Sequence, residues 1–384
     1  MFEVWFGINQ IKGLRRFAPI GRPVQIQRQM KMGAQMRLGW RWTGKNIAGT
    51  IGQPHRLSCL DFIPFVDKFF DHMGIGSAIA IPVPDTAVSR ANIGVEVGIH
   101  NDDGAEWMRV NGVTGWALHT IEVGTTPQTV DVTHFDNAGI KMLVRLNYGY
   151  NPKGNLPRED SPDYQPFIDA CVETMRRSRG VWGYVFGNET NNPHEFPGGV
   201  NGAAISPEQY ARAFNLIWAR KPAGTQLGTQ AIDPYFGPNS DSRDYWVRVL
   251  NNLLGADFLT VHPKTQDSNP DNVDSAALFA NHPLTWQFLH LRSYQPLLDA
   301  VPQRFWNLPV IATEVNPQRF NDGQTLGWQQ DQGAEWVKRA VAHFKAYNQN
   351  ALMPVNGVIF YRFSQDDWAI SNKQNILDAI KRVA

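Results

Sequence analysis

Two glutamates carry the chemistry that this 384-residue chain advertises most clearly. One closes Gly187-Asn188-Glu189, directly after the run Val181 to Phe186; the other sits in Thr313-Glu314-Val315-Asn316, directly after Leu308 to Ala312. In both places a carboxylate follows a short run of apolar residues almost free of charge. One such Glu ordinarily solvates a loop or partners a helix N-terminus. Two that face each other across a cleft can flank a bond held between them, which is glycosidase geometry. Other polar or aromatic residues fall just after comparable runs: His100, His119 near the end of its run, Arg145 with Asn147, His262, and Phe363 with Trp368.

These residues can meet only if the runs form one sheet. From about residue 91 the chain alternates short β-branched or aromatic runs with longer segments of helical period, the pattern of parallel βαβ units. Eight runs are counted: Ile93 to Ile99, Thr114 to Ile121, Ile140 to Leu146, Val181 to Phe186, Thr225 to Thr229, Phe258 to Val261, Leu308 to Ala312 and Gly357 to Phe363. Between them, Tyr164, Phe167, Ile168, Cys171, Val172 and Met175 fall at helical spacing, as do Tyr210, Ala213, Phe214 and Ile217, and then Trp246, Val249, Leu250 and Leu253. Ser206-Pro207-Glu208-Gln209 reads as a capping box with Pro at the first helical position, and Ser371-Asn372-Lys373-Gln374 as a second box opening the last helix. Eight such units in residues 91–384 predict a (β/α)8 barrel, for which ~250 residues is typical. A doubly wound open sheet is the alternative, but no Gly-rich phosphate turn follows the first run. In a barrel the ends of runs four and seven lie across the same mouth.

Phe186-Gly187-Asn188-Glu189 after the fourth strand, with Ile311-Ala312-Thr313-Glu314 after the seventh, resembles glycoside hydrolase clan A, the four/seven superfamily of retaining barrel glycosidases. The resemblance implies Glu189 as acid/base and Glu314 as nucleophile, acting on the O-glycosidic bond of a poly- or oligosaccharide without a cofactor. Retention requires carboxyl groups ~5–5.5 Å apart. At that distance an ionised Glu314 is expected to keep Glu189 protonated, until formation of the glycosyl-enzyme removes the charge. Asn188 can then bind the sugar 2-hydroxyl. His262 and Arg145 match the residues that commonly position the nucleophile in the clan. The aromatic that stacks on the sugar falls to Phe363 or to Trp368, and His100, His119 and Asn147 are further substrate contacts. The second function class is a carbohydrate-binding barrel without turnover.

Composition narrows the partners. Lys and Arg total 36 against 35 Asp and Glu, a net charge of +1 without charge blocks, which excludes the footprint of a nucleic-acid binder. No apolar stretch reaches the ~18 residues of a membrane span. Charged residues are only 18% while aromatics reach 11%, with 13 Trp, so flat apolar faces for a sugar ring are plentiful. Metal catalysis is not expected: the first strand end offers His100 without a His-x-His pair, and His100, Asp102, Asp103 and Glu106 read as a turn entering a helix. Neither a G-x-S-x-G elbow nor a Cys-His nucleophile is evident. Two cysteines, Cys59 and Cys171, imply no disulfide framework. The start of the chain lacks the pattern of a secretory leader, and compartment and oligomeric state stay open. Residues 1–90 are expected to form an N-terminal extension or small accessory region, with loose strand alternation in Pro23 to Trp42, a helix through Leu60 to Phe70 and a linker at Pro82-Val83-Pro84.

Overall fold

The computed structural model describes residues 94–236, 241–280, 284–321, 324–366 and 368–384, together with two strands nearer the N-terminus. The chain divides into two compact units, Met1–Asp85 and Thr86–Ala384. In the first, Phe2–Ile8 pairs antiparallel with Met36–Trp42, Phe2 opposite Trp42. The helix read through Leu60 to Phe70 and the linker at Pro82 to Pro84 lie outside the described residues.

The second unit is a nearly closed parallel barrel. Its strands are β1 (Glu96–His100), β2 (Gly115–Glu122), β3 (Ile140–Asn147), β4 (Val181–Phe186), β5 (Leu227–Gly228), β6 (Leu259–Val261), β7 (Val310–Pro317) and β8 (Val355–Phe360). They pair in the order β5-β4-β3-β2-β1-β8-β7-β6, all parallel. A parallel bridge between Gly228 and Phe258 joins the two ends of that row, and the Asp257 N–H donates to Leu227 O at 2.9 Å across the seam. An open doubly wound sheet keeps two free edges; here they meet, as expected of a (β/α)8 barrel.

One helix follows each strand: α1 (Asp102–Val110), α2 (Thr133–Asp136), α3 (Tyr164–Arg177), α4 (Pro207–Trp218), α5 (Ser242–Asn252), α6 (Gln295–Asp299), α7 (Gln330–Asn348) and α8 (Gln374–Val383). The capping box at α4 forms in full: Ser206 Oγ accepts the Gln209 N–H while Gln209 Oε1 accepts the Ser206 N–H. The second box does not. Helix α8 begins at Gln374 with no side-chain cap, because the Ser371 N–H is engaged by Phe363 O at 2.8 Å in the loop before it. Between β6 and β7 the crossover shrinks to the five residues of α6 amid short 3-10 turns, where Pro270, Pro296 and Pro302 each deny a longer helix its hydrogen bond. Among the described residues no helix is long and apolar enough to cross a membrane.

Alternation along the strands sorts the core into two shells. Trp116, Leu118, Leu143, Val185, Phe258, Ile311 and Ile359 fill the barrel interior, with Trp182 packed against them. Their neighbours in sequence, such as Ala117, Val144, Phe186, Leu259, Ala312 and Phe360, face the helices instead. Rings this large fit because glycine stands opposite them. A Cβ on Gly228 would lie 2.1 Å from the Phe258 ring, and one on Gly357 would lie 2.8 Å from Trp116.

Candidate active site

The same alternation, carried past the interior layer, delivers the polar residues to the C-terminal mouth. In β3 it runs Leu143, Arg145, Asn147; in β6 and beyond, Phe258, Thr260, His262, Lys264; in β1, Gly98 and His100. Strand β7 departs from it. The pairing of β7 with β8 shifts register between Ala312 and Val315, a bulge that turns both Thr313 and Glu314 inward before Val315 returns to the outer shell. Glu314 therefore lies within the strand and not beyond it, as the sequence had suggested. Glu189 follows β4 with φ at +40°, a conformation sparsely used by residues other than glycine, and its N–H is anchored to Ala231 O at 2.9 Å.

These side chains converge on a cavity of about 570 Å3. One carboxylate oxygen of Glu189, one of Glu314 and one ring nitrogen of His262 all lie within 4.8 Å of one another. Glu189 and Glu314 are 4% and 7% exposed, so neither charge is stabilised by bulk water. Each has its own cation. Arg145 Nη1 donates to Glu314 Oε1 at 2.7 Å, and Lys264 Nζ donates to Glu189 Oε1 at 2.7 Å while reaching Asp233 Oδ2 at 3.3 Å. Asn192 adds a third donor to Glu189, at 3.1 Å.

His262 ties the two halves together. Its Nδ1 lies 2.6 Å from Glu189 Oε1 and 3.7 Å from Glu314 Oε2; its Nε2 faces Thr313 Oγ1 at 3.1 Å and Arg145 Nη2 at 3.4 Å. Because the guanidinium can only donate, Nε2 is the acceptor, and the network assigns the proton to Nδ1, directed at Glu189.

The electrostatic outcome reverses one sequence expectation. Burial pushes Glu189 towards its neutral form, but the Lys264 ammonium and the His262 N–H outweigh it and hold the carboxyl well below the ordinary carboxylate range. Glu314 is likewise lowered: burial and Glu189 oppose its charge, His262 and Arg145 prevail. Ionised Glu314 thus does not keep Glu189 protonated in the resting site. Lys264 lies beyond the residues that directly follow the sixth run, two positions past His262 on the same inward face. His100, by contrast, is held neutral, its pKa lowered to about 3 mainly by burial and by Arg145.

The remaining sequence candidates separate. Asn147, Asn188 and Trp368 line the cavity. His119 stands at its rim, on the outward face it shares with Ala117 and Ile121, with Nδ1 3.9 Å from Asp102; Thr120 takes the inward position on that strand end. Phe363 does not reach the cavity. It packs beside Trp107, with ring centroids 6.4 Å apart, and its Cβ fills the space against Gly104, so Trp368 and Tyr361 are the aromatics that face the mouth from beyond β8.

Several atoms of cavity-lining residues have no hydrogen-bond partner within the protein: His100 Nε2, Thr120 Oγ1, Arg145 Nε, Asn147 Oδ1, Asn188 Oδ1, Asn316 Oδ1, Gln318 Oε1 and Trp368 Nε1. His100 Nδ1 bonds Asn101 Oδ1 at 2.6 Å and so carries the proton, which makes Nε2 an acceptor. Five acceptors, two N–H donors and one hydroxyl thus surround two carboxylates, a wall that suits a ligand dense in hydroxyl groups. Glu189, His262 and Glu314 have the spacing of a three-ligand metal set, but the donor set fits a cation poorly. Ammonium and guanidinium already neutralise both carboxylates, and His262 directs a proton, not a lone pair, between them.

Fold and site together define a (β/α)8 barrel with an acidic pair across its C-terminal mouth. Among solved structures, similar ones include an endo-β-1,3-glucanase of glycoside hydrolase family 128 from Amycolatopsis mediterranei, in complex with laminaripentaose. It is 14% identical, over 76% of this chain and 100% of that one, with a TM-score of 0.48. An oligosaccharide-binding protein of the same family from Cryptococcus neoformans is 12% identical, over 76% and 96% of the two chains, with a TM-score of 0.45. A family 39 glycoside hydrolase from Bacteroides cellulosilyticus is 14% identical, over 76% and 63%, with a TM-score of 0.47. No protein-family model and no curated protein matches the chain.

Proposed function

We propose that the barrel is a retaining glycoside hydrolase of poly- or oligosaccharides, with Glu314 as nucleophile and Glu189 as acid/base. The observation that carries this reading is the carboxylate spacing: oxygens of the two side chains lie within 4.8 Å, close to the ~5–5.5 Å of retaining enzymes and short of the ~6.5–9.5 Å that seats a water between the groups. Glu314 enters ionised, with Oε1 on Arg145 and Oε2 left to attack the anomeric carbon. Glu189 protonates the departing oxygen, then as carboxylate takes the proton of the water that releases the sugar. Lys264 and His262 oppose the first of these steps and favour the second. Hydrolysis is therefore expected to quicken as pH falls below neutrality, the direction in which Glu189 gains its proton.

A second reading, a sugar-binding barrel without turnover, is favoured by the same lysine, because an acid held in its charged form has no proton to give. The test is a hydrolysis screen over β-1,3- and β-1,4-linked glucans, mannans and galactans, with the anomer of the first product followed by NMR. Retention of configuration, together with loss of turnover but not of sugar binding in Glu314→Gln, supports the hydrolase. Glu314→Gln turning over at the wild-type rate removes Glu314 from the nucleophile role, and tight binding with no hydrolysis by the wild type favours the second reading.

A further inference from the structure

Five acidic side chains line the cavity: Asp102, Glu189, Glu195, Asp233 and Glu314. Four have a basic nitrogen within 4 Å, from His119, Lys264, Lys264 and Arg145 respectively. Among the described residues Glu195 has none. It stands on the 3-10 turn Pro193–Glu195, in the loop that leaves β4 just beyond Glu189, and is fixed from both sides by carboxamides. Asn155 Nδ2 donates to its Oε2 at 2.6 Å, and Asn188 Nδ2 lies 3.3 Å from its Oε1. The backbone holds it too, since the Glu195 N–H donates to Asn192 O and the Asn155 N–H to Glu195 O.

Acceptors outnumber free donors in the wall around it. Arg145 Nη1 and Lys264 Nζ are turned on carboxylates, which leaves Trp368 Nε1, Arg145 Nε and the Thr120 hydroxyl as the side-chain atoms of the unpartnered set that can donate to a sugar oxygen. We propose that Glu195 is a substrate-binding acid, which enters the cleft with its carboxyl proton in place and donates it as a hydrogen bond to an oxygen of the sugar bound beside Glu189. This rests on the carbohydrate reading above. With no basic nitrogen within 4 Å among the described residues, only neutral amides compensate a charge on Glu195, and neutral donors do so about half as well as ionised ones. The anions that face Glu195 act in the same sense. Burial and the anions of Glu189 and Glu314 push its pKa up to about 7, against the Asn188 amide and Arg145.

The sign of the consequence follows. Below pH 7 Glu195 donates; above it, a third anion faces Glu189 and Glu314 and the hydrogen bond is lost. The full chain is titrated calorimetrically with sulfur-linked pentasaccharides of β-1,3-glucose, β-1,4-glucose and β-1,4-mannose, which resist hydrolysis. In the wild type, affinity for the best of the three is expected to fall about tenfold between pH 5.5 and 8.5, the size of one hydrogen bond to a neutral acceptor. Glu195→Gln keeps a donor that cannot titrate, and is expected to change less than about twofold over that range; Glu195→Ala is expected to be about tenfold weaker at pH 5.5 and flat. In parallel, 13C NMR of the glutamate-labelled, sugar-free protein follows the carboxyl carbons, one of which is expected to titrate near pH 7 in the wild type and to vanish in Glu195→Gln. A Glu195→Gln variant with the wild-type pH dependence, or a wild type in which no glutamate titrates above pH 6, overturns the inference. Failure of all three sugars to bind the wild type overturns the carbohydrate reading and takes this inference with it, and the NMR titration shows whether Glu195 held its proton regardless.

Discussion

Replacing Lys264 with methionine tests the electrostatic design of the site directly. The ammonium lies 2.7 Å from Glu189 Oε1 and 3.3 Å from Asp233 Oδ2, and all three groups are buried. With an effective dielectric constant of about 20, those distances correspond to gross attractions of roughly 6 and 5 kcal/mol. Desolvating three ions costs several kcal/mol each, so the intact triad is nearly neutral for stability. Removing its centre is not. Two carboxylates are left buried without a counter-charge, at a cost of about 3–5 kcal/mol. At roughly 2 °C per kcal/mol for a unit of this size, Lys264→Met is expected to melt about 6–10 °C below the wild type at pH 7.5. The deficit should shrink at pH 5, because Glu189 and Asp233 can then neutralise themselves by taking up protons. Scanning calorimetry at both pH values measures this, and Lys264→Met/Asp233→Asn should recover part of the loss. The same change lets Glu189 keep its proton to higher pH, so the pH profile of hydrolysis should move upward. A variant that melts within about 1 °C of the wild type at both pH values refutes the account of Lys264 as the charge that holds Glu189 ionised.

Glu189→Ala is expected to lose about 10²–10⁴-fold on substrates with poor leaving groups and much less on activated aryl glycosides, the span attributed to general acid catalysis; equal losses on both count against Glu189 as the acid. Trp368→Ala should raise KM by about tenfold with melting temperature little changed, since the ring faces the cavity, whereas Phe363→Ala should lower the melting temperature by several degrees and leave KM alone; the reverse pattern would return Phe363 to the mouth. Gly228→Ala places a methyl 2.1 Å from the Phe258 ring and is expected to cost about 1–3 kcal/mol in denaturant titrations, with partial recovery in Gly228→Ala/Phe258→Leu.

Much of this was legible along the chain. Short β-branched or aromatic runs bounded by turn residues located all eight barrel strands to within about five positions, because strands of a closed barrel are apolar on both faces. Helical stripes such as Tyr164 to Met175 located α3, α4 and α5, because each must cover a strand, but no stripe marked the longest helix, α7. That regularity broke where local chemistry was overruled by neighbours. Ser371 and Gln374 satisfy the wording of a capping box, yet Phe363 O claims the Ser371 N–H first.

The barrel and the strand ends from which its polar residues project follow from the order of apolar runs and helical stripes along the chain. The charge state of those residues, and which of them share a cavity, depend on contacts made only in the folded molecule. The bulge at Thr313-Glu314 turns two consecutive residues inward, the fold sets Lys264 between Glu189 and Asp233, and Glu195 is left with amides for company. A pKa depends on burial and on charges a few ångströms away, and those distances are fixed by strands far apart in sequence.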